Sequence, residues 1–188
     1  MDNASLILKT LDEHLDHPLR LILYGRAAIN LGFDDPPLET AQSKDVDGII
    51  PEDDMEALSA DENFWSAQES VNAELRQHGL YITHLFRENQ VFLRRDWKKH
   101  LVPVTRPATR WLQLFRPATL DLILTKMMRG DDAQDMEDIA FLVRHDHVTP
   151  EQLEAAIAAA FLPQLTELRD AFEQAKPRVR EIVREQAG

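Results

Sequence analysis

The chain contains no cysteine at all. Without a thiol there is no disulfide framework, no Cys-ligated zinc and no cysteine nucleophile. Long apolar runs are also missing; none approaches the ~20 residues that a membrane-spanning helix needs. The N-terminus, MDNASLILKTLDEHLDH, opens acidic and is soon broken by charge, unlike a signal peptide. These absences predict a cytoplasmic protein with no membrane segment. Positive charge is scarce as well: 21 Lys+Arg stand against 33 Asp+Glu, a net charge of −12 over 188 residues. That balance argues against tight, indiscriminate nucleic-acid binding, which relies on Lys and Arg neutralising phosphates. The length suits one domain, or one domain with an appendage.

The charge is unevenly placed. Asp34 to Glu62 holds eleven acids and one base, Lys44, whereas Arg87 to Arg116 holds eight bases and two acids, Glu88 and Asp96. Two solvated surfaces of opposite sign are the plain reading. The sharper one is an acidic metal site and a basic patch for a polyanion such as a nucleotide or RNA.

Along the chain, residues 5–15 have helical spacing, with Ser5 or Asn3 as the cap. LRLILY at 19–24 is a short apolar run ending at Gly25, which predicts a buried strand, and 26–31 read as a helix stopping at Gly32. Phe33–Ser43, with Pro36-Pro37, reads as a loop. Lys44–Ile50 alternates like a strand and sends Asp45 and Asp47 to one side. A helix over Asp61–His78 ends at Gly79, and strands are expected at 80–86, 90–93, 101–104 and 110–115. Helices follow over 120–129, 133–144 and 149–162, the last opened by the Thr149-Pro150-Glu151-Gln152 capping box. Leu165, Leu168 and Phe172 continue a helical stripe, and Pro177 is expected to start a separate last segment. The pattern predicts an α+β fold: a mixed sheet with flanking helices over 1–116, followed by a helical bundle over 117–188, or both as one continuous domain.

The chemistry-bearing constellation is a strand ending in Gly25 at a helix start, then a second strand with Asp45-Val46-Asp47. Asp occurs 18 times, and Asp45/Asp47 is the only Asp-x-Asp pair. Composition alone yields about one or two such pairs, so the weight lies in the setting. Two carboxylates on one side of a strand can share a divalent cation. Glycine at a strand–helix junction lets the backbone approach a phosphate, and a helix N-terminus favours negative charge.

The stretch LILYGRAAINLGF…SKDVDGIIP resembles the opening of the polymerase-beta-like nucleotidyltransferases, most nearly the AbiEii/MNT-like proteins of bacterial toxin–antitoxin modules. RPATLDLILTKMMRGDDAQDMEDIAFLV is similar to the helix pair that follows the sheet in that family. The resemblance runs from about residue 20 to about residue 145. It implies a nucleotidyltransferase-like fold and Mg²⁺-dependent transfer of a nucleotidyl group from an NTP to an RNA or protein acceptor. It further implies a cognate toxin or antitoxin as partner. By the same resemblance Asp45 and Asp47 hold the metal, Lys126 contacts the triphosphate, and Asp138 or Asp135 orients the acceptor or Lys126. Gly25, Arg26, Lys44, Arg129 and Asp135 complete the nucleotide contacts. Arg26 departs from the family's small residue after the glycine, and neither later strand carries a third carboxylate. These departures keep open the alternative of a catalytically diverged binding module, an antitoxin-like partner.

Several other features have competing readings. Lys126 with Asp135 and Asp138 equally suits a salt-bridged helix hairpin. His145-Asp146-His147 reads as a loop with titratable side chains before it reads as a metal tract. Trp97 among Arg94, Arg95, Lys98 and Lys99 anchors a turn or stacks RNA. Trp65 and Trp111 are expected in the core.

Overall fold

The computed structural model describes residues 1–186, with backbone only at 83 and 84. In chain order its helices are α1 (Asn3–His14), α2 (Gly25–Gly32), α3 (Met55–Ser59), α4 (Glu62–Glu74), α5 (Thr119–Lys126), α6 (Ala133–Asp146), α7 (Pro150–Ala159) and α8 (Thr166–Gln186). The strands are β1 (Leu19–Tyr24), β2 (Asp45–Ile50), β3 (Tyr81–Arg87), β4 (Leu93–Arg94), β5 (Val102–Pro103), β6 (Leu112–Arg116) and β7 (Ala160–Phe161). The architecture is α+β, with a mixed sheet, flanking helices and a helical C-terminal part. No helix among the described residues is long and apolar enough to cross a membrane.

The chain divides into two units, Met1–Glu88 with Leu101–Arg116, and Asn89–His100 with the chain from Pro117 onward. The first is a sheet unit of strand order β3-β2-β1-β6-β5. β1 runs antiparallel to β2 and parallel to β6, while β2 and β3 are parallel. Helices α1, α2 and α4 pack on the strands and on one another through α1. The core is the period-2 product of these strands and the 3.6-period faces of the helices: Ile7, Leu8 and Leu11 of α1 and Ile22, Leu23 and Ile49 of the strands are all at most 2% exposed. Asp2, rather than Ser5 or Asn3, caps α1: its Oδ1 accepts from the Ser5 N–H at 2.9 Å and from Asn30 Nδ2 at 2.8 Å. A cap one residue further out thus also ties α1 to α2.

The helical unit packs α5–α8 around Ile139, Leu142, Phe172 and Val179, each at most 1% exposed. Phe92 and Phe172 meet edge-on, with centroids 5.1 Å apart. Thr149 and Gln152 form the expected capping box at the start of α7. Other expectations are corrected. The helix expected to reach 162 stops at Ala159, because Ala160–Phe161 pairs with Leu93–Arg94 as a two-stranded ribbon. Pro177 does not open a new segment; α8 runs through it. Phe172, Ala175, Val179 and Ile182 keep one buried stripe across the proline, and burial of that stripe outweighs the lost hydrogen bond. Trp65 is 37% exposed rather than core, its indole N–H donating to the Leu58 carbonyl at 2.9 Å.

Candidate functional site

The sheet unit builds its candidate site at the C-terminal end of β1. β1 delivers the chain to Tyr24, which pairs with Asp47 on β2. One residue beyond that pair, Gly25 starts α2 with φ +62. An L side chain is strained in that left-handed region, so glycine suits the junction. A Cβ built on Gly25 meets nothing within 4 Å, so the space above the backbone is open. Tyr24, the N-cap of α2, contributes no side-chain cap hydrogen bond. The first-turn N–H groups and the positive end of the helix dipole therefore lie at the sheet end that carries Asp45 and Asp47.

The opposite end of α2 is pinned by two guanidinium groups. Arg116 Nε donates to the Gly32 carbonyl at 3.0 Å, and Arg106 Nη2 donates to the Phe33 carbonyl at 2.7 Å. The Arg116 guanidinium also lies 3.8 Å from the Phe33 ring centroid. Cations at a helix C-terminus satisfy its carbonyls and stabilise its dipole, so these contacts fix the direction in which α2 points. Sequence reasoning missed both roles; Arg106 and Arg116 were visible only as members of the basic stretch.

On β2, Asp45 and Asp47 are half-exposed while the intervening Val46 and the following Gly48 are buried. This matches the period-2 expectation for the two carboxylates. Ser43 Oγ donates to Asp45 Oδ1 at 2.8 Å and orients that carboxylate. The pairing with β3 shifts beside Asp47, since Val46 pairs with Ile82 but Gly48 with Leu85. The extra residue of this irregularity lies on β3, so β2 keeps its alternation through Asp45 and Asp47. Gly48 is closely packed: a Cβ there would stand 3.0 Å from side-chain carbons of both Leu21 and Leu85, which would have to give by a few tenths of an ångström. Lys44 is exposed, and its carbonyl accepts from the Tyr81 N–H at 3.1 Å. Arg26 lies half-buried in the first turn of α2.

Two carboxylates at alternate strand positions fit Mg²⁺, which takes oxygen donors and is commonly held by one or two carboxylates together with substrate phosphates. Among the described residues no group of three or more His, Asp or Glu gathers as a metal-holding set. No protein-family model, no curated protein and no solved structure matches this chain.

The remaining predicted residues gather in the helical unit. Lys126 Nζ donates to Asp135 Oδ1 at 3.0 Å and to Asp138 Oδ2 at 2.6 Å. Arg129 Nε donates to Asp135 Oδ2 at 2.7 Å. Asp132 caps α6 by accepting from the Asp135 N–H at 3.1 Å. The 3-10 turn Met127–Arg129 and Gly130 bring the end of α5 back onto the start of α6, which is why a Lys and an Asp-x-x-Asp pair meet. Burial pushes the Asp135 carboxyl up, but the hydrogen bond from Arg129 and the charges of Lys126 and Arg129 outweigh it and hold it below the ordinary carboxylate range. The nine predicted residues thus form two groups: Gly25, Arg26, Lys44, Asp45 and Asp47 in the sheet unit, and Lys126, Arg129, Asp135 and Asp138 in the helical unit.

In the basic segment, Trp97 is 3% exposed and anchors its turn in the core of the helical unit, leaving no face for a stacked base. Arg94 makes a two-pronged ion pair with the fully buried Asp121, Nε to Oδ1 at 3.1 Å and Nη2 to Oδ2 at 2.7 Å. His145 and Asp146 lie in the last turn of α6, where Asp146 also accepts from the Thr119 hydroxyl.

Proposed function

We propose that the sheet unit is a nucleotidyltransferase-like domain that takes a nucleoside triphosphate with Mg²⁺ at the Gly25 end of β1. The observation that carries this reading is the β1–β2 register. Pairing Tyr24 with Asp47 sets an open, glycine-started helix N-terminus beside two half-exposed carboxylates. The α2 first-turn N–H groups suit phosphate oxygens. Asp45 and Asp47 would hold the Mg²⁺, which supplies charge neutralisation to the phosphates. Ser43 keeps Asp45 oriented, and Arg26 offers a cation where a small residue would let phosphate sit closer. The acceptor in this reading is RNA or a protein, and the setting is a paired toxin–antitoxin or defence module.

One observation favours a second reading, a diverged binding module. The Lys126 ammonium is engaged by two carboxylates and its side chain is only 9% exposed, so it is held by protein groups rather than offered to a triphosphate. Calorimetry with Mg²⁺ and a non-hydrolysable NTP, paired with transfer of label from an α-labelled NTP, tests both readings. The enzyme reading expects binding and labelling, both abolished by Asp45→Ala with Asp47→Ala. Binding without labelling supports the module; no binding with or without Mg²⁺ removes the nucleotide reading altogether.

A further inference from the structure

The sheet of order β3-β2-β1-β6-β5 has two edge strands, and an edge strand offers unpaired N–H and C=O groups to any strand that approaches it. The β5 edge is closed by its length and its chemistry. It is two residues long, Val102–Pro103, and proline has no N–H to donate. The β3 edge is different. It runs for seven residues as YITHLFR, rich in β-branched and aromatic side chains, with no proline and no acid. A strand of that composition is the one at risk of adding another strand.

The first outward-facing groups of β3 belong to Ile82. Both backbone groups of a strand residue point to the same side, and successive residues alternate. The Tyr81 N–H donates to the Lys44 carbonyl, just before β2, at 3.1 Å, so the N–H and C=O of Ile82 face away from the sheet. Both meet Asn72 of α4. The Ile82 N–H donates to Asn72 Oδ1 at 2.8 Å, and Asn72 Nδ2 donates to the Ile82 carbonyl at 3.2 Å. A carboxamide carries the donor and the acceptor of a peptide group, so Asn72 does what one residue of a neighbouring strand would do. The reversal at Gly79, with φ +65, makes this possible by returning the chain beside the end of α4. Beyond Ile82 the register with β2 shifts before Leu85, and such an irregularity disturbs the edge further along. A groove of about 500 Å³ lies at the guarded part, lined by Asn72, Arg76, Gly79, Leu80, Tyr81 and Ile82, and gives a main chain room once the carboxamide is gone.

We propose that Asn72 is a guard that keeps β3 from pairing with β3 of a second copy of this chain. Two residues that form a hydrogen-bonded pair in an antiparallel ladder exchange both N–H···O bonds. Asn72 occupies the two groups of Ile82 that such an exchange with the second copy would use. A second copy is the occupant because two like edges match each other about a twofold axis, a self-complementary contact. Tyr81 stands opposite Asp45, so the guard also keeps another chain away from the carboxylate end of β2. This holds whether or not that end binds nucleotide.

The test compares the full chain with three variants by sedimentation velocity over a concentration series. Asn72→Ala removes both bonds and should bind a second copy at least about tenfold more tightly than the unaltered chain does. Asn72→Ser, too short to bridge both groups, should do the same and serves if the alanine variant folds poorly. Asn72→Asp is the control for lost stability. It forfeits the bond to the Ile82 carbonyl but sets a charge on the edge, so it should stay single. As Asn72→Ala pairs with rising concentration, its Ile82 amide should become more protected from hydrogen exchange. Folded alanine and serine variants that stay single overturn the proposal. So does pairing of Asn72→Asp to the same extent as Asn72→Ala, which would make lost stability the cause, and so does pairing that leaves Ile82 exchange unchanged.

Discussion

Replacing Lys126 by Met tests what the ion cluster between α5 and α6 does. Its three buried members are Lys126, Asp135 and Asp138, with side chains 9%, 5% and 2% exposed. Removing one partner of a buried ion pair typically costs ~3–5 kcal/mol, because the remaining charge stays desolvated. Here Asp135 keeps Arg129 at 2.7 Å, although the Arg129 side chain is 59% exposed. The loss falls mainly on Asp138, which places the expected cost near the lower bound, about 3 kcal/mol. With a urea slope of ~1–3 kcal/mol/M, the midpoint should fall by on the order of 1–3 M. Urea unfolding followed by far-UV circular dichroism and by fluorescence measures this for each unit, since Trp97 reports on the helical unit and Trp65 and Trp111 on the sheet unit. Because paired replacement of buried ions by apolar groups is often neutral or better, Lys126→Met with Asp138→Leu should recover most of the loss. The double-mutant cycle should show coupling of about 2 kcal/mol or more. A single-variant loss below about 1 kcal/mol, or additive effects, refutes the view that this lysine is a structural cation.

Two further outcomes are expected in the sheet unit. The hydrogen bond to Asp16, then that to Asp61, raises His17 above the ordinary histidine value, so NMR titration should find it titrating above an ordinary exposed histidine, and Asp61→Asn should lower it. Since the folded-state value is the raised one, the stability from this latch is complete below pH ~6.5 and fades as pH rises through the folded value; a melting temperature that rises over that window contradicts it. Asp12 accepts from the backbone N–H groups of Arg110, Trp111 and Leu112 at 2.7, 2.7 and 2.8 Å. Asp12→Ala should cost roughly 2–3 kcal/mol and speed hydrogen exchange at those three amides, while unchanged exchange there would rule out the anchoring role.

Much of the candidate site was legible because its parts are local. Gly25 after an apolar run, and Asp45-x-Asp47 in an alternating strand, are short-range patterns, and the structure places both where periodicity expects them. The supports of the site were not legible. Arg106 and Arg116 act on carbonyls of α2 that are remote in sequence, and Ser43 acquires its role only once its hydroxyl meets Asp45. Basic residues in a row look alike in the sequence, yet Arg94 proves to be locked onto a buried carboxylate and Trp97 to be core.

The sequence by itself determined the types of the longer helices and strands, the strand–glycine–helix junction, the capping box at Thr149 and the pairing of two carboxylates on one side of β2. Each depends on neighbours within about one helical turn or one strand pleat, where period and capping chemistry act directly. Tertiary structure alone decided the sheet order, the joining of Asn89–His100 to the helical unit and the continuity of α8 through Pro177. It also decided that Lys126 is held by Asp135 and Asp138, and that Tyr24 stands opposite Asp47. Burial of apolar faces and desolvation of charges depend on residues distant in the chain. Their energies outweigh the local preferences of one proline or one ion pair, so these features exist only once the chain has packed.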